Sequence, residues 1–179
     1  MHKTISLIVP RHVKKFILSE EGYRLQPDAV YVPKRSEIGE MIFAASMTIS
    51  YTQLAEVREL PKGSEWITFR YNCKKKSFDV PMEKYRHLEA FLIEHFRGAL
   101  IKEVAAIHYV HPFEDYAWIV RSFLDRRGII TDDAAEKDIE WDTAKKIYRD
   151  YLETIQKKNR ENRQLSQQLL SGLQPFCRV

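Results

Sequence analysis

The chain has 179 residues, 44% of them hydrophobic and 30% charged, with a formal net charge of +4. That length and apolar content suffice for one sizeable buried core, and they exclude wholesale disorder, which needs low hydrophobicity with a large net charge. Six Gly and seven Pro exclude collagen-like and low-complexity classes, and two cysteines are too few for a disulfide scaffold in a chain this long.

In chain order, Thr4–Val9 predicts a short strand ended by Pro10. Arg11–Leu18 predicts a helix with Val13, Phe16 and Ile17 on one face and Arg11, Lys14 and Lys15 on another, closed by Gly22. Ala29–Val32 reads as a strand between Pro27 and Pro33. Ser36 is placed to cap a helix through Met47 whose inward residues are Ile38, Met41, Ile42 and Ala45. Thr48–Glu59 carries no decisive period. Trp66–Cys73 alternates cleanly, with Ile67, Phe69 and Tyr71 on one face and Thr68, Arg70 and Asn72 on the other. Lys74-Lys75-Lys76 then reads as the loop of a hairpin, with Ser77–Val80 as its returning strand. No Asn-Gly or Asp-Gly is present to make a tight turn.

From Pro81 the texture becomes helical. Leu88, Phe91, Leu92, Phe96, Ala99, Leu100 and Val104 keep helical spacing, with Gly98 as a kink or close-packing point and His108–Pro112 as a connector. Phe113–Arg127 predicts a second helix, with Arg126 and Arg127 at its C-terminal end and Gly128 as the residue that terminates it. Asp138 or Glu140 opens the last helix, whose stripe is Trp141, Ala144, Ile147, Tyr148, Tyr151, Leu152 and Ile155. The stripe fades after Gln156 and returns at Leu165, Leu169 and Leu173. A helix reaching Leu170 would be about 50 Å long. Its distal part is expected to meet a second subunit, lie across the N-terminal lobe, or fray. The fold class predicted is α+β: a mixed lobe at 1–81 with a basic hairpin, and a three-helix region at 82–179 sharing its core.

The charge is unevenly laid out. Met1–Pro81 holds 13 Lys/Arg against 9 Asp/Glu, Met82–Asp142 holds 8 against 13, and Thr143–Leu165 holds 7 against 3. Two basic regions flank an acidic one, which suggests a polyanionic partner, double-stranded DNA first. The order of the last two helices suggests a helix-turn-helix-like unit, in which Thr143, Lys145, Lys146 and Arg149 would meet phosphates and base edges. The spacer is longer than the usual three or four residues. Its acids Asp132, Asp133, Glu136, Asp138 and Glu140 would repel DNA at the entrance. Lys74, Lys75 and Lys76, with Arg70 on the strand before them, form a second candidate contact. Lys157, Lys158, Arg160 and Arg163 form a third, and charge reversal there is expected to matter less than at Lys145 and Lys146.

Other chemistry has little foothold. No GxSxG, P-loop, GxGxxG, HExxH or CxxC pattern is present, and no cofactor is implied. His108-x-x-His111 with Glu114 and Asp115 has ligand types, but Pro112 breaks the local geometry. His87 and His95 lie about 12 Å apart along a helix, too far for one ion, so no metal ligand set is assigned. Met1–Val9 lacks the apolar length of a signal peptide and no stretch is long enough to span a bilayer, giving a cytoplasmic expectation with reduced Cys73 and Cys177. The leading expectation is a non-enzymatic DNA-binding accessory or regulatory protein. The alternatives are an assembly module that dimerises through Leu165, Leu169 and Leu173, and a metal-dependent nuclease.

Overall fold

The computed structural model describes residues 1–26, 28–49, 58–73, 77–132 and 136–173. Lys74, Lys75, Lys76 and Cys177 lie outside them. The class is α+β, in the order β1 (His2–Pro10), α1 (Arg11–Ser19), β2 (Arg24–Gln26), β3 (Ala29–Tyr31), α2 (Glu37–Ala45), β4 (Met47–Thr48), β5 (Ser64–Asn72), β6 (Phe78–Asp79), α3 (Tyr85–Val110), α4 (Tyr116–Asp125) and α5 (Trp141–Leu173). A short 3-10 turn, Met82–Lys84, separates Pro81 from α3.

Alternation along β1 and β5 makes the sheet. Ile5, Leu7 and Val9 on β1 and Ile67, Phe69 and Tyr71 on β5 are buried on one face, as a two-residue period demands. β1 and β5 pair antiparallel over nine residues, from His2 opposite Asn72 to Pro10 opposite Ser64. The other edge of β5 takes β3 in parallel, and the full order is β1-β5-β3-β2. The predicted hairpin therefore does not form: β6 pairs with β4 instead of β5. Both edges of β5 are taken by other strands, and the nine-residue ladder with β1 buries far more apolar surface than a two-residue return strand would.

α1 forms where predicted; α2 starts where predicted but ends at Ala45, and Met47, expected in the helix, lies in β4. Val13, Phe16 and Ile17 are buried on α1, and the Ser36 hydroxyl accepts from the Gly39 amide as the cap of α2. α3 runs further than expected. It continues through His108 to Val110, because no residue before Pro112 opposes it, and Pro112 disfavours helix at His111. His87, His95 and His108 thus share one helix. α4 begins three residues later than predicted, at Tyr116, because the Asp115 carboxylate caps the Ala117 amide. Phe113 lies outside the helix and is fully exposed. Gly128 holds φ +62°, the left-handed conformation that ends α4.

One buried cluster runs from Ile5 on β1 through Phe16, Phe69, Phe96 and Phe123 to Tyr148 on α5. α3 lies at its centre, touching β1, α1, α2, α4 and α5. The predicted stripe of α5 packs into it as far as Leu152, and Ile155 is half-buried beyond it. Beyond that point every described side chain from Gln156 to Gln168 is exposed, so the distal helix does not lie across the N-terminal lobe.

Candidate nucleic-acid interface

The first turns of α5 are fixed by its stripe. Ala144, Ile147 and Tyr148 are buried, which turns Lys146 and Arg149 outward. Thr143 and Lys145 fall on opposite flanks, about 160° apart around the helix axis. The four residues therefore do not form one reading face. Lys145 lies 3.6 Å from Asp142 and 6.0 Å over the Trp141 ring. Arg149 sits 3.9 Å from Asp150 and 3.8 Å from Glu153. Such exposed pairs stabilise by less than about 1 kcal/mol, so a phosphate can displace the acid, but each phosphate contact gains less where an acid must be set aside.

Three of the acids before α5 are neutralised within the chain, and Asp133 lies outside the described residues. Asp132 pairs with Arg121, Asp138 with Lys15, and Glu140 with Lys137. Arg121 also stacks over Trp141 with its guanidinium 4.6 Å from the ring centre. The cations at the end of α4 are equally engaged. Arg126 and Arg127 both pair with Glu103, and Arg127 lies 3.8 Å over Phe123.

Arg70 projects from the sheet face opposite Ile67, Phe69 and Tyr71 and is half-buried there. α5 packs on α3 and α4, so Arg70 and the α5 cations sit on separate parts of the surface. Lys74, Lys75 and Lys76 are outside the described residues, as are the side chains of Leu169 and Leu173; Leu165 is 58% exposed.

Lys157, Lys158, Arg160 and Arg163 stand apart from these. All four are exposed on the projecting half of α5, where Glu161 is the one acid between Gln156 and Gln168. A helix that is polar on every side is stabilised by a partner or by its own side-chain pairs, and this stretch has few opposite charges to pair. The sequence shows these cations plainly. What it does not show is that, among the described residues, these side chains are left exposed by the fold.

Of the four histidines raised as ligand candidates, His87 and His111 are exposed, and His95 and His108 are packed. His108 Nδ1 is 3.0 Å from the Tyr148 hydroxyl, and His95 Nδ1 is 2.8 Å from Glu37 with its ring between Phe16 and Phe91. Among the described residues no group of three or more His, Cys, Asp or Glu is placed to hold a metal ion. Cys73 is a buried thiol that donates to the Phe78 carbonyl. No helix among the described residues is long and apolar enough to cross a membrane.

One buried polar cluster escaped the sequence reading. Lys3 Nζ lies 2.9 Å from Asp79, which also accepts from the Tyr71 hydroxyl and the Val80 amide. Burial alone would raise the Asp79 carboxyl, but the bonds from Lys3, Val80 and Tyr71 outweigh it and hold it below its ordinary value. Burial, and then Asp79, push the Tyr71 hydroxyl upward. Lys3 is on the core face of β1, where alternation alone would call for an apolar residue. The cluster seals the end of the sheet beside β6.

No protein-family model, curated protein or solved structure matches the chain. The fold and surface define an α+β protein with a projecting basic helix.

Proposed function

We propose that this is a non-enzymatic DNA-binding accessory or regulatory protein, and that the distal half of α5 is its main grip on the duplex. The observation that carries the reading is the exposed run Lys157, Lys158, Arg160 and Arg163, with one intervening acid, on a helix that leaves the core after Leu152. Cations on a rigid helix neutralise phosphates and release counterions, which drives sequence-independent affinity. Lys146 and Arg149 extend the side of α5 that carries Lys157, Arg160 and Arg163 toward the core, with Lys158 on the other side. The weight thus falls on the distal cluster rather than on Lys145 and Lys146, because Lys145 already has Asp142 and Trp141 beside it.

Fluorescence anisotropy with a labelled duplex at low and moderate salt tests this. Binding is expected to weaken steeply with salt. Replacing Lys157, Lys158, Arg160 and Arg163 together with Gln should lower the slope of log affinity against log salt by about 3–4, since each lost phosphate contact removes about 0.9. The same change at Lys145 and Lys146 should lower it less. Absence of binding at low salt overturns the proposal.

A further inference from the structure

α2 and α3 leave a groove of about 1020 Å³ between them. Its floor is apolar, with Met41 and Ala44 from α2 and Phe91 and Ala99 from α3. Its rim is acidic, with Glu37 and Glu40 on α2, Glu94 on α3 and Glu20 after α1. Glu37 already lies against His95, Glu94 against Arg97 and Glu20 against Arg127, pairs near the surface that a further cation can compete for. Glu40 and Glu94 are exposed. Gly98 lies in the middle of this lining, inside a 26-residue helix. A glycine there weakens the helix relative to alanine, and a Cβ built on it meets nothing within 4 Å. No close approach among the described residues explains it. An apolar floor with an acidic rim admits a second, basic helix.

The chain carries such a helix. Distal α5 offers Lys157, Arg160 and Arg163 on one face, with Lys158 and the exposed Leu165 on the opposite side. It cannot reach its own groove. α5 is one continuous helix to Leu173, and the 18 residues after Ile155 run about 27 Å onward from the last half-buried residue. We propose that the α2–α3 groove receives the distal half of α5 from a second copy of this chain, with the face that carries Lys157, Arg160 and Arg163 turned toward its glutamates. This stands independently of DNA binding. Phosphate and groove compete for the same cations, so duplex DNA displaces the second copy.

Sedimentation velocity of the full chain at low salt tests the proposal, with thermal unfolding to confirm that each variant is folded. The wild type should self-associate, and association should weaken at high salt. Glu40→Lys with Glu94→Lys should be monomeric, and so should Lys157→Glu with Arg160→Glu. An equimolar mixture of the two variants should associate again, because the basic helix of one meets the acidic groove of the other. A wild type that stays monomeric, or a groove variant that associates as the wild type does, overturns the proposal. A mixture that fails to recover association overturns it as well. The groove variant should retain its affinity for duplex DNA, so loss of assembly and loss of DNA binding are read separately.

Discussion

Lys15 Nζ lies 2.6 Å from Asp138 Oδ2, joining α1 to the segment that leads into α5 across 123 residues of sequence. The Asp138 side chain is only 2% exposed. The same carboxylate accepts from the Ile130 amide, Lys15 also donates to the Gly128 carbonyl, and His12 Nδ1 lies 3.1 Å from the Asp138 carbonyl. An acid that reads in sequence as an obstacle to DNA is an internal clasp.

Removing that clasp should loosen the approach to α5. Asp138→Ala leaves the Ile130 amide without its acceptor and Lys15 without its anion. Because Lys15 remains partly in water, the expected cost is about 2–4 kcal/mol rather than the upper figure for a fully buried pair. Urea unfolding of the two proteins at neutral pH measures it, and Lys15→Met should cost less than Asp138→Ala.

His12 should make stability depend on mild acid. Its ring packs edge-on to Phe96 at 4.9 Å, and burial lowers its pKa from 6.5 despite the opposing pull of Asp138. Above 6.5 the ring is neutral in both the folded and the unfolded chain. Below 6.5 the unfolded chain takes up a proton that the folded one resists, so stability falls with pH until the folded ring also protonates. Urea midpoints taken down from neutral pH should show this fall, and His12→Gln should flatten it over the same window.

Asp79 should act in a lower window. Its carboxyl is held below 3.8 by Lys3, Val80 and Tyr71. The stability it supplies is present above 3.8 and is lost as pH falls through the folded value. Asp79→Asn should remove this part of the acid transition, seen as a shallower loss of stability below about pH 4 in acid titration followed by circular dichroism. Lys3→Met should cost about 1–2 kcal/mol at neutral pH, because Asp79 keeps its other two donors and is partly exposed.

Two glycines in helices should respond oppositely to alanine. A Cβ on Gly39 would sit 2.0 Å from the Pro33 carbonyl oxygen, so Gly39→Ala must push apart two backbone segments at the start of α2. The expected loss is about 3 kcal/mol or more. A Cβ on Gly98 meets nothing within 4 Å, so Gly98→Ala should stabilise by about 0.5–1 kcal/mol through helix propensity. Thermal melts of the two variants should move in opposite directions from the wild type.

Local pattern made much of the fold legible. The alternation of Trp66–Cys73, the face of Val13, Phe16 and Ile17, the Ser36 cap and the α5 stripe all follow from a repeat of 2 or 3.6 residues and a few capping groups. Strand partners were not legible. β5 has an equally good period against β6 or β1, and the choice turns on how much surface each pairing buries. Helix ends were read correctly at the Ser36 cap, but the end of α2 at Ala45, the run of α3 to Val110 before Pro112 and the Asp115 cap of α4 were missed.

The candidate site divides in the same way. The sequence by itself determined an α+β class, a core of alternating and helical stripes, and a positive charge gathered at two places. Only the tertiary structure decided which charges are free to act. Lys15, Arg121, Arg126 and Arg127 meet acids distant in sequence, and Asp138 is buried against one of them. Lys157, Lys158, Arg160 and Arg163 remain exposed because their helix runs past the edge of the core. Charge is a property of a residue, but its availability depends on what the fold brings within a few ångströms of it, and sequence spacing does not encode that distance.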